Sequence, residues 1–288
     1  IAGMQTGHTT SDRIIECPGE PSPSQWPDCW IYKQSNAGHS WSWDNNGRNA
    51  LKGSCNIYFS HLADEIEAHS LQHWLYEFGY GHILLSSPTA VAQSEFPRNL
   101  NQSPGIISSR TPDSKDLSLE ELPPIRDIHK KLFGIGQANL RVTPLQVATS
   151  MAAIAKGGIV SIPKLFKDMH VTESNPLGIT PETMEVIYDG MHAVVNESQG
   201  TAYNEFSTVL ESFAEQDVKI YGKTGSTEKP FVAWFAGFAQ DSSGKILSLA
   251  IVVENGQHGS SDAAPLIRDI LQYCIDLGYI GDSTIPTF

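Results

Sequence analysis

The sequence predicts an α+β protein with an antiparallel sheet flanked by helices. Three segments near the C-terminus, 218–226, 231–238 and 246–253, are rich in β-branched and aromatic residues, which favours strands. A turn rich in Ser and Gly separates the second segment from the third. Apolar residues upstream recur at helical spacing, and another helical pattern follows the strands. Clustered strands between helices are typical of this fold class.

The first part of the chain alternates irregular and helical segments. Residues 1–7 have the composition of the last turns of a helix that ends at Gly7. Residues 17–46 are rich in Pro, Ser, Trp and Asn without periodicity, which predicts an ordered loop. A short helix is predicted over 49–54, with its end at Gly53, and two more over 57–66 and 71–78.

The middle of the chain is dominated over residues 86–130 by Ser, Pro, Asn and charge, which predicts a long surface insertion with one weak helix at 117–122. Thr143-Pro144 and Thr180-Pro181 are expected to begin two further helices. The last helical pattern runs over 266–274 and stops at Gly278. We expect residues 1–288 to form a single domain.

Charge and hydropathy exclude several classes of function. A formal net charge of −13 argues against a nucleic-acid surface, so an anion would need a locally positive site. No apolar run approaches the roughly 18 residues that span a bilayer, and no basic segment followed by an apolar one opens the sequence. We therefore expect a soluble chain without a targeting signal.

The four cysteines are Cys17, Cys29, Cys55 and Cys274. They form no CxxC pair and have no zinc-like spacing, so the sequence predicts neither a metal site nor a cofactor. Cys17 and Cys29 are separated by a distance along the chain that a disulfide could close, but two reduced thiols fit equally well because sequence does not supply bridge geometry. Cys55 is expected to be a small buried residue.

Two further patterns are interpreted as chance matches. His69 and His73 have the i,i+4 spacing of a metal site, but the pattern lacks its Glu and a third ligand, so two surface histidines are expected. Gly222-Lys223-Thr224 resembles the end of a phosphate-binding loop, but Asp217 stands where the first glycine of that loop belongs.

The segment Lys223-Thr224-Gly225-Ser226 places a cation, hydroxyls and bare backbone on a predicted strand. These groups together can bind a small anion. We expect this strand to lie at an edge of the sheet, where its backbone can pair with an extended peptide.

Far upstream, Ser54-Cys55-Asn56 places a hydroxyl and a carboxamide two residues apart between two predicted helices. With Lys223-Thr224-Gly225, this tripeptide resembles the second and third motifs of penicillin-binding proteins, the serine acyl-transferases marked by S-x-x-K, S-D-N and K-T-G. Further landmarks of that transpeptidase domain occur in the same order: Phe78-Gly79-Tyr80-Gly81, Gly134-Ile135-Gly136-Gln137, Gly200-Thr201-Ala202, the segment 233–238 and Val253-Glu254-Asn255-Gly256. Ala138 and Ser226 are mild departures from the family pattern.

The resemblance implies roles for the site residues. Ser54 would relay a proton to the departing amine, and Asn56 would hydrogen-bond the substrate amide. Lys223 would place positive charge beside the substrate carboxylate, which the Thr224 hydroxyl would bind. Gly225 would leave room for close approach, and the backbone N–H of Ser226 would form half of an oxyanion hole.

The attacking serine of the family's Ser-x-x-Lys motif is expected before residue 1, together with the first strands of the sheet. Three Ser-x-x-Lys spacings occur within the chain, Ser161–Lys164, Ser226–Lys229 and Ser242–Lys245. None is predicted to begin a helix, which would place both side chains on one face. We therefore expect these 288 residues alone to be inactive.

The resemblance implies a peptidoglycan D,D-transpeptidase whose ligands are the D-Ala-D-Ala stem peptide and β-lactams, with cell-wall synthesis proteins as further partners. It also implies an extracytoplasmic site and a membrane anchor upstream of this chain. The alternatives are a non-catalytic protein that binds penicillin or cell-wall peptides and a D,D-carboxypeptidase. A β-lactamase is disfavoured because no Glu is evidently placed to activate a deacylating water.

Overall fold

The computed structural model describes residues 1–85, 102–114, 117–164, 176–228 and 230–281. Its sheet consists of β1 (Val218–Glu228), β2 (Phe231–Asp241) and β3 (Ile246–Glu254), which are antiparallel in the order β1-β2-β3. The register pairs Lys223 with Ala236 and Val218 with Asp241. The predicted α+β class and the edge position of the Lys223 strand among the described strands are thus confirmed.

Helices fill the chain before the sheet, and one follows it. They are α1 (Ala2–Gln5), α2 (Trp30–Ser35), α3 (Gly47–Gly53), α4 (Asn56–Glu65), α5 (Ala68–Glu77), α6 (Asp127–Phe133), α7 (Pro144–Ala155), α8 (Pro181–Asn196), α9 (Tyr203–Phe206), α10 (Leu210–Glu215) and α11 (Ala264–Asp276). A 3-10 turn spans His39–Trp41, and a π-helical turn spans Gly259–Ala263 before α11. None of the described helices combines the length and apolar character needed to cross a bilayer.

Two of the predicted helix starts are confirmed by their caps. The Thr143 hydroxyl accepts the backbone N–H of Gln146, whose side chain accepts the N–H of Thr143, so α7 begins with a complete capping box. The Thr180 hydroxyl caps α8 by accepting the backbone N–H of Thr183. These bonds satisfy amide groups that a helix start leaves unpaired.

The largest core lies between the sheet, α8 and α11. The ring of Phe206 stacks on Phe235 of β2 at 5.7 Å between centroids, and Ile267 and Leu271 of α11 are 1% exposed. A second apolar cluster surrounds the N-terminal half of α4, where Cys55, Tyr58 and Leu62 are buried. The expectation that Cys55 is buried is confirmed.

Within residues 86–130, which are predicted to form a surface insertion, a few described residues contact the rest of the domain. Ile107 is 0% exposed and Ile125 is 2% exposed. Gln72 of α5 donates its amide nitrogen to the carbonyls of Ile107 and Pro123, at 3.0 and 2.8 Å. Residues 117–122 form turns instead of a helix, and residues 86–101 and 115–116 lie outside the described part.

Candidate active site

Ser54 lies at the junction between α3 and α4 in a left-handed backbone conformation, with φ of 53° and ψ of 49°. A non-glycine residue pays about 1 kcal/mol for that conformation, so its surroundings must hold it there. The preceding residue, Gly53, has no space for a side chain. A Cβ on Gly53 would lie 2.6 Å from Cδ2 of His39 and 2.8 Å from a ring carbon of Trp43.

Lys223 of β1 reaches the Ser54 side chain, although 169 positions separate the two residues. Its Nζ lies 2.6 Å from Oγ of Ser54 and 2.6 Å from the carbonyl of Thr224. An ammonium donor makes the Ser54 oxygen an acceptor, so the Ser54 hydroxyl hydrogen is free to point away from Lys223. Burial lowers the pKa of Lys223 to about 8, which brings its proton within reach of near-neutral chemistry.

The other residues of the Lys223 strand differ in exposure. Thr224 is 8% exposed, and its hydroxyl lies 2.7 Å from the hydroxyl of Thr201. Ser226 is exposed, and its Oγ accepts the N–H of Gly259 at 3.0 Å. Gly225 is partly exposed between them. Thr201 belongs to the Gly200-Thr201-Ala202 landmark, and sequence reasoning did not assign it to the site.

Asn56 begins α4 on the other side of Cys55. Its amide nitrogen donates to the carbonyl of Asp28 at 3.0 Å, which fixes the plane of the carboxamide. The amide oxygen is then the atom suited to accept an N–H from an extended ligand. Ser54 and Asn56 thus lie at the junction of α3 and α4, and Lys223 of β1 reaches that junction only in the folded chain.

Ion pairs of Glu197 with Arg48 and Lys52, here called the brace, join α3 to the segment that carries Thr201. Glu197, just after α8, pairs with Arg48 through both carboxylate oxygens and with Nζ of Lys52 at 3.0 Å. The backbone N–H of Thr201 donates to the carbonyl of Lys52 at 3.3 Å. Hydrogen bonds from Arg48, aided by Lys52 and opposed by burial, lower the pKa of Glu197 to about 2.

A cluster of thiol and imidazole groups lies directly beneath Ser54 and Asn56. It consists of Cys17, Cys29, His39 and Cys55, all buried, whose ligand atoms lie within 4.8 Å of one another. The prediction of no metal site rested on sequence spacing, and it missed this set because the ligands come from a loop, a 3-10 turn and the start of α4. Four such ligands can hold a metal ion. The cysteines are free thiols, so the open question of a Cys17–Cys29 bridge resolves against a disulfide in this structure.

The cluster residues shift one another's pKa values. Hydrogen bonds from Cys17 and Cys55 hold the pKa of Cys29 far below its usual range, whereas burial raises the pKa of Cys55. Burial opposes a charged imidazole, but the two neighbouring sulfurs of Cys17 and Cys29 outweigh it and raise the pKa of His39 to about 9.

Other candidate patterns do not assemble into sites. His69 is exposed, and His73 faces Glu77 at 3.9 Å on the same helix. Of the Ser-x-x-Lys spacings, Ser161 lies after α7 and its Oγ accepts from Nζ of Lys156 at 2.9 Å. Ser226 lies on β1, and Ser242 lies in the turn after β2. None of these serines begins a helix, as the sequence predicted.

Comparisons with known proteins agree on one family. The family model described as penicillin binding protein transpeptidase domain matches residues 1–272. The peptidoglycan D,D-transpeptidase MrdA of Haemophilus influenzae is 24% identical over 81% of this chain and 37% of its own length. PbpA of Mycobacterium tuberculosis, also a peptidoglycan D,D-transpeptidase, is 26% identical over 94% of this chain and 52% of its own length.

A solved structure of penicillin-binding protein PBP2 from Helicobacter pylori superposes with a TM-score of 0.74 at 22% identity. The match covers 97% of this chain and 47% of that one. The chain thus spans between about a third and a half of the proteins it matches. Because the family model matches residues 1–272 of the 288, this chain belongs to the penicillin-binding protein transpeptidase family.

Proposed function

We propose that this chain forms the substrate groove of a peptidoglycan D,D-transpeptidase that cross-links stem peptides through a serine acyl-enzyme. The observation that carries the proposal is the 2.6 Å contact between Lys223 and Ser54, because it joins the two motifs into one site. The attacking serine and its lysine are proposed to lie outside residues 1–288. The site would be extracytoplasmic, as expected for chemistry on the cell wall.

In this mechanism the ligand is an extended peptide that ends in D-Ala-D-Ala and lies along the edge strand β1. Lys223 places its charge near the terminal carboxylate. The paired hydroxyls of Thr224 and Thr201 can supply one donor to the same group, since only one of the two hydrogens is used between them. The carboxamide of Asn56 would fix the peptide on the opposite wall.

The acyl transfer breaks the bond between the last two D-Ala residues, and the departing amine needs a proton. Ser54 can supply it, because Lys223 occupies one lone pair of Oγ and leaves the hydroxyl hydrogen for the amine. Lys223 then returns a proton to Ser54. Its pKa of about 8 lowers the cost of that return near neutral pH. The backbone N–H of Ser226 would contribute to an oxyanion hole.

Labelling with a fluorescent penicillin tests the location of the nucleophile. We expect no covalent label on residues 1–288 and a stable label on a longer protein that includes an upstream Ser-x-x-Lys helix. Label on the 288-residue chain would show that the nucleophile lies within it. An encoded protein without upstream Ser-x-x-Lys would instead favour the non-catalytic binding protein.

Reversible binding tests the groove itself. We expect a diacetyl-Lys-D-Ala-D-Ala peptide to shift NMR signals of the 288-residue chain, and its C-terminal amide to bind at least about tenfold more weakly, because the amide lacks the carboxylate. Lys223→Met should abolish the preference for the acid. The matched control is Lys245→Met, in the turn between β2 and β3 on the same sheet. Equal binding of acid and amide would contradict the proposal.

A further inference from the structure

The C-terminal end of α8 joins the two walls of the groove, which are β1 on one side and the α3–α4 junction on the other. Asn196, the last residue of α8, donates its amide nitrogen to the carbonyl of Ile220 in β1 at 3.0 Å. The next residue, Glu197, pairs with Arg48 and Lys52 of α3. Two consecutive residues therefore tie one wall to the other.

The loop that follows α8 is attached to α3 at both of its ends, each time through Lys52. Nζ of Lys52 contacts the carboxylate of Glu197 at 3.0 Å, and the Lys52 carbonyl accepts the backbone N–H of Thr201 at 3.3 Å. The loop is also tight against α8, because a Cβ on Gly200 would overlap two carbonyl oxygens of that helix. Residues 197–201 therefore have little freedom to move relative to α3.

The side chain of Thr201 contacts the other wall. Its hydroxyl lies 2.7 Å from the hydroxyl of Thr224 on β1, and either oxygen can be the donor. A carboxylate beside Thr224 decides the direction, because a carboxylate only accepts hydrogen bonds. Thr224 must then donate to the ligand, and Thr201 must donate to Thr224. Each bond in such a chain polarises the next, so an anionic ligand strengthens both.

We propose that Glu197 and Thr201 are positioning residues for the carboxylate end of the groove. The brace holds Thr201 against Lys52, and Thr201 donates its hydroxyl hydrogen to Thr224, which directs the hydrogen of Thr224 at the terminal carboxylate of the ligand. The role in ligand binding rests on the proposed function. The link from Glu197 through Thr201 to Thr224 belongs to the chain itself and is tested without a ligand.

Positioning and simple electrostatics predict opposite effects of Glu197 on ligand binding. A carboxylate near the groove repels an anionic ligand, so removing its charge would by itself tighten binding of the acid. Loss of the brace instead releases the loop that holds Thr201, which weakens binding of the acid. Because Glu197 is already paired with Arg48 and Lys52, we expect the loss of positioning to prevail.

Unfolding and hydrogen exchange of the 288-residue chain test the link without a ligand. Thr201→Val and Thr224→Val each remove one partner of the hydroxyl pair, so the double variant should lose less melting temperature than the sum of the two single losses. Glu197→Gln should speed exchange of the Thr201 amide several-fold relative to the amides of α11, because the loop opens locally. Additive losses, or equal acceleration in both places, overturn the link.

Binding of the diacetyl-Lys-D-Ala-D-Ala peptide and of its C-terminal amide tests the role in ligand recognition. Thr201→Val should lower the preference for the acid by about 2-fold to 10-fold, the contribution of one neutral hydrogen bond, and should leave binding of the amide nearly unchanged. Thr201→Ser retains the hydroxyl and should restore the preference. A merely structural role would weaken both ligands equally, and that result would overturn the proposal.

Glu197→Gln should lower the preference for the acid in the same direction, and adding it to Thr201→Val should cause no further loss, because Glu197 acts through Thr201. The matched control is Glu65→Gln, since Glu65 also pairs with an arginine, Arg13, through both carboxylate oxygens, and these side chains are 43% and 33% exposed. This control should bind as wild type.

Tighter binding of the acid by Glu197→Gln would overturn the role of the brace, because repulsion would then be the larger effect. A wild-type chain that binds acid and amide equally would show that the proposed function fails, and the role in ligand recognition would fail with it. The unfolding and exchange measurements would still decide the link between Glu197, Thr201 and Thr224.

Discussion

The brace at Glu197 gives a prediction whose size follows from the structure. Glu197→Gln removes the carboxylate that pairs with Arg48 and Lys52 and preserves the shape of the side chain. Lys52 is 9% exposed, and without Glu197 its ammonium group retains the face of Trp43 at 5.0 Å. The substitution therefore leaves a largely buried cation without its acidic partner, which destabilises the folded chain.

The expected magnitude lies between two limits. Removing one partner of a fully buried pair costs about 3–5 kcal/mol, and removing one from an exposed pair costs about 0–1 kcal/mol. The side chains of Glu197 and Arg48 are 36% and 30% exposed, whereas that of Lys52 is 11% exposed. We therefore expect a loss of about 1–2 kcal/mol, which corresponds to a fall of about 2–6 °C in melting temperature.

The assay is thermal unfolding at pH 7 and pH 3, followed by circular dichroism. Arg48 and Lys52 lower the pKa of Glu197 from 4.5 to about 2, so the unfolded chain binds more protons there between these two values. The contribution of Glu197 is therefore fully present above pH 4.5 and is lost as pH falls toward 2. The difference between wild type and Glu197→Gln should shrink accordingly at pH 3.

The matched control is Glu228→Gln, because the Glu228–Lys33 pair has side chains that are 71% and 46% exposed. Its melting temperature should stay close to that of the wild type. Equal losses in the two variants, or a Glu197→Gln effect that does not depend on pH, would refute the reasoning.

Three further outcomes follow from the groove. Burial lowers the pKa of Lys223 from 10.5 to about 8, so wild-type stability should rise between pH 8 and 10.5, and Lys223→Met should lack that rise in urea titrations. Thr201→Val leaves the buried hydroxyl of Thr224 without this partner and should cost about 1–3 kcal/mol in unfolding free energy, whereas Thr201→Ser should cost less. Gly53→Ala should cost about 1–3 kcal/mol, because its Cβ would overlap His39; unchanged stability would show that the ring can move.

Local chemistry explains why most helices and strands could be predicted. The helix starts at Thr143 and Thr180 combine a capping hydroxyl with a following proline, and both appear as predicted. The strand segments have β-branched and aromatic composition, and all three form one sheet. Ile107 and Ile125 show the limit, since their polar surroundings in sequence concealed the fact that both fill the core.

The residues of the candidate site could be predicted where the sequence resembles the family motifs, but not elsewhere. No local pattern joins Ser54 to Lys223, and only the family motifs placed them together. His39 was missed because it stands in an aperiodic loop and shares no regular spacing with the cysteines. The sequence did contain one indication, because three cysteines and this histidine all fall within residues 17–55.

The separation of Ser54 from Lys223 also has a consequence for the order of folding. The cluster ligands are close in the chain, so their loop closes at low entropic cost, whereas the Lys223 contact spans 169 positions. At about 5–20 residues per second, the ribosome completes Lys223 roughly 8–34 s after Ser54. During that interval the Ser54 turn lacks its contact with Lys223. The groove is therefore a late product of folding, assembled when β1 arrives at a wall that has already formed.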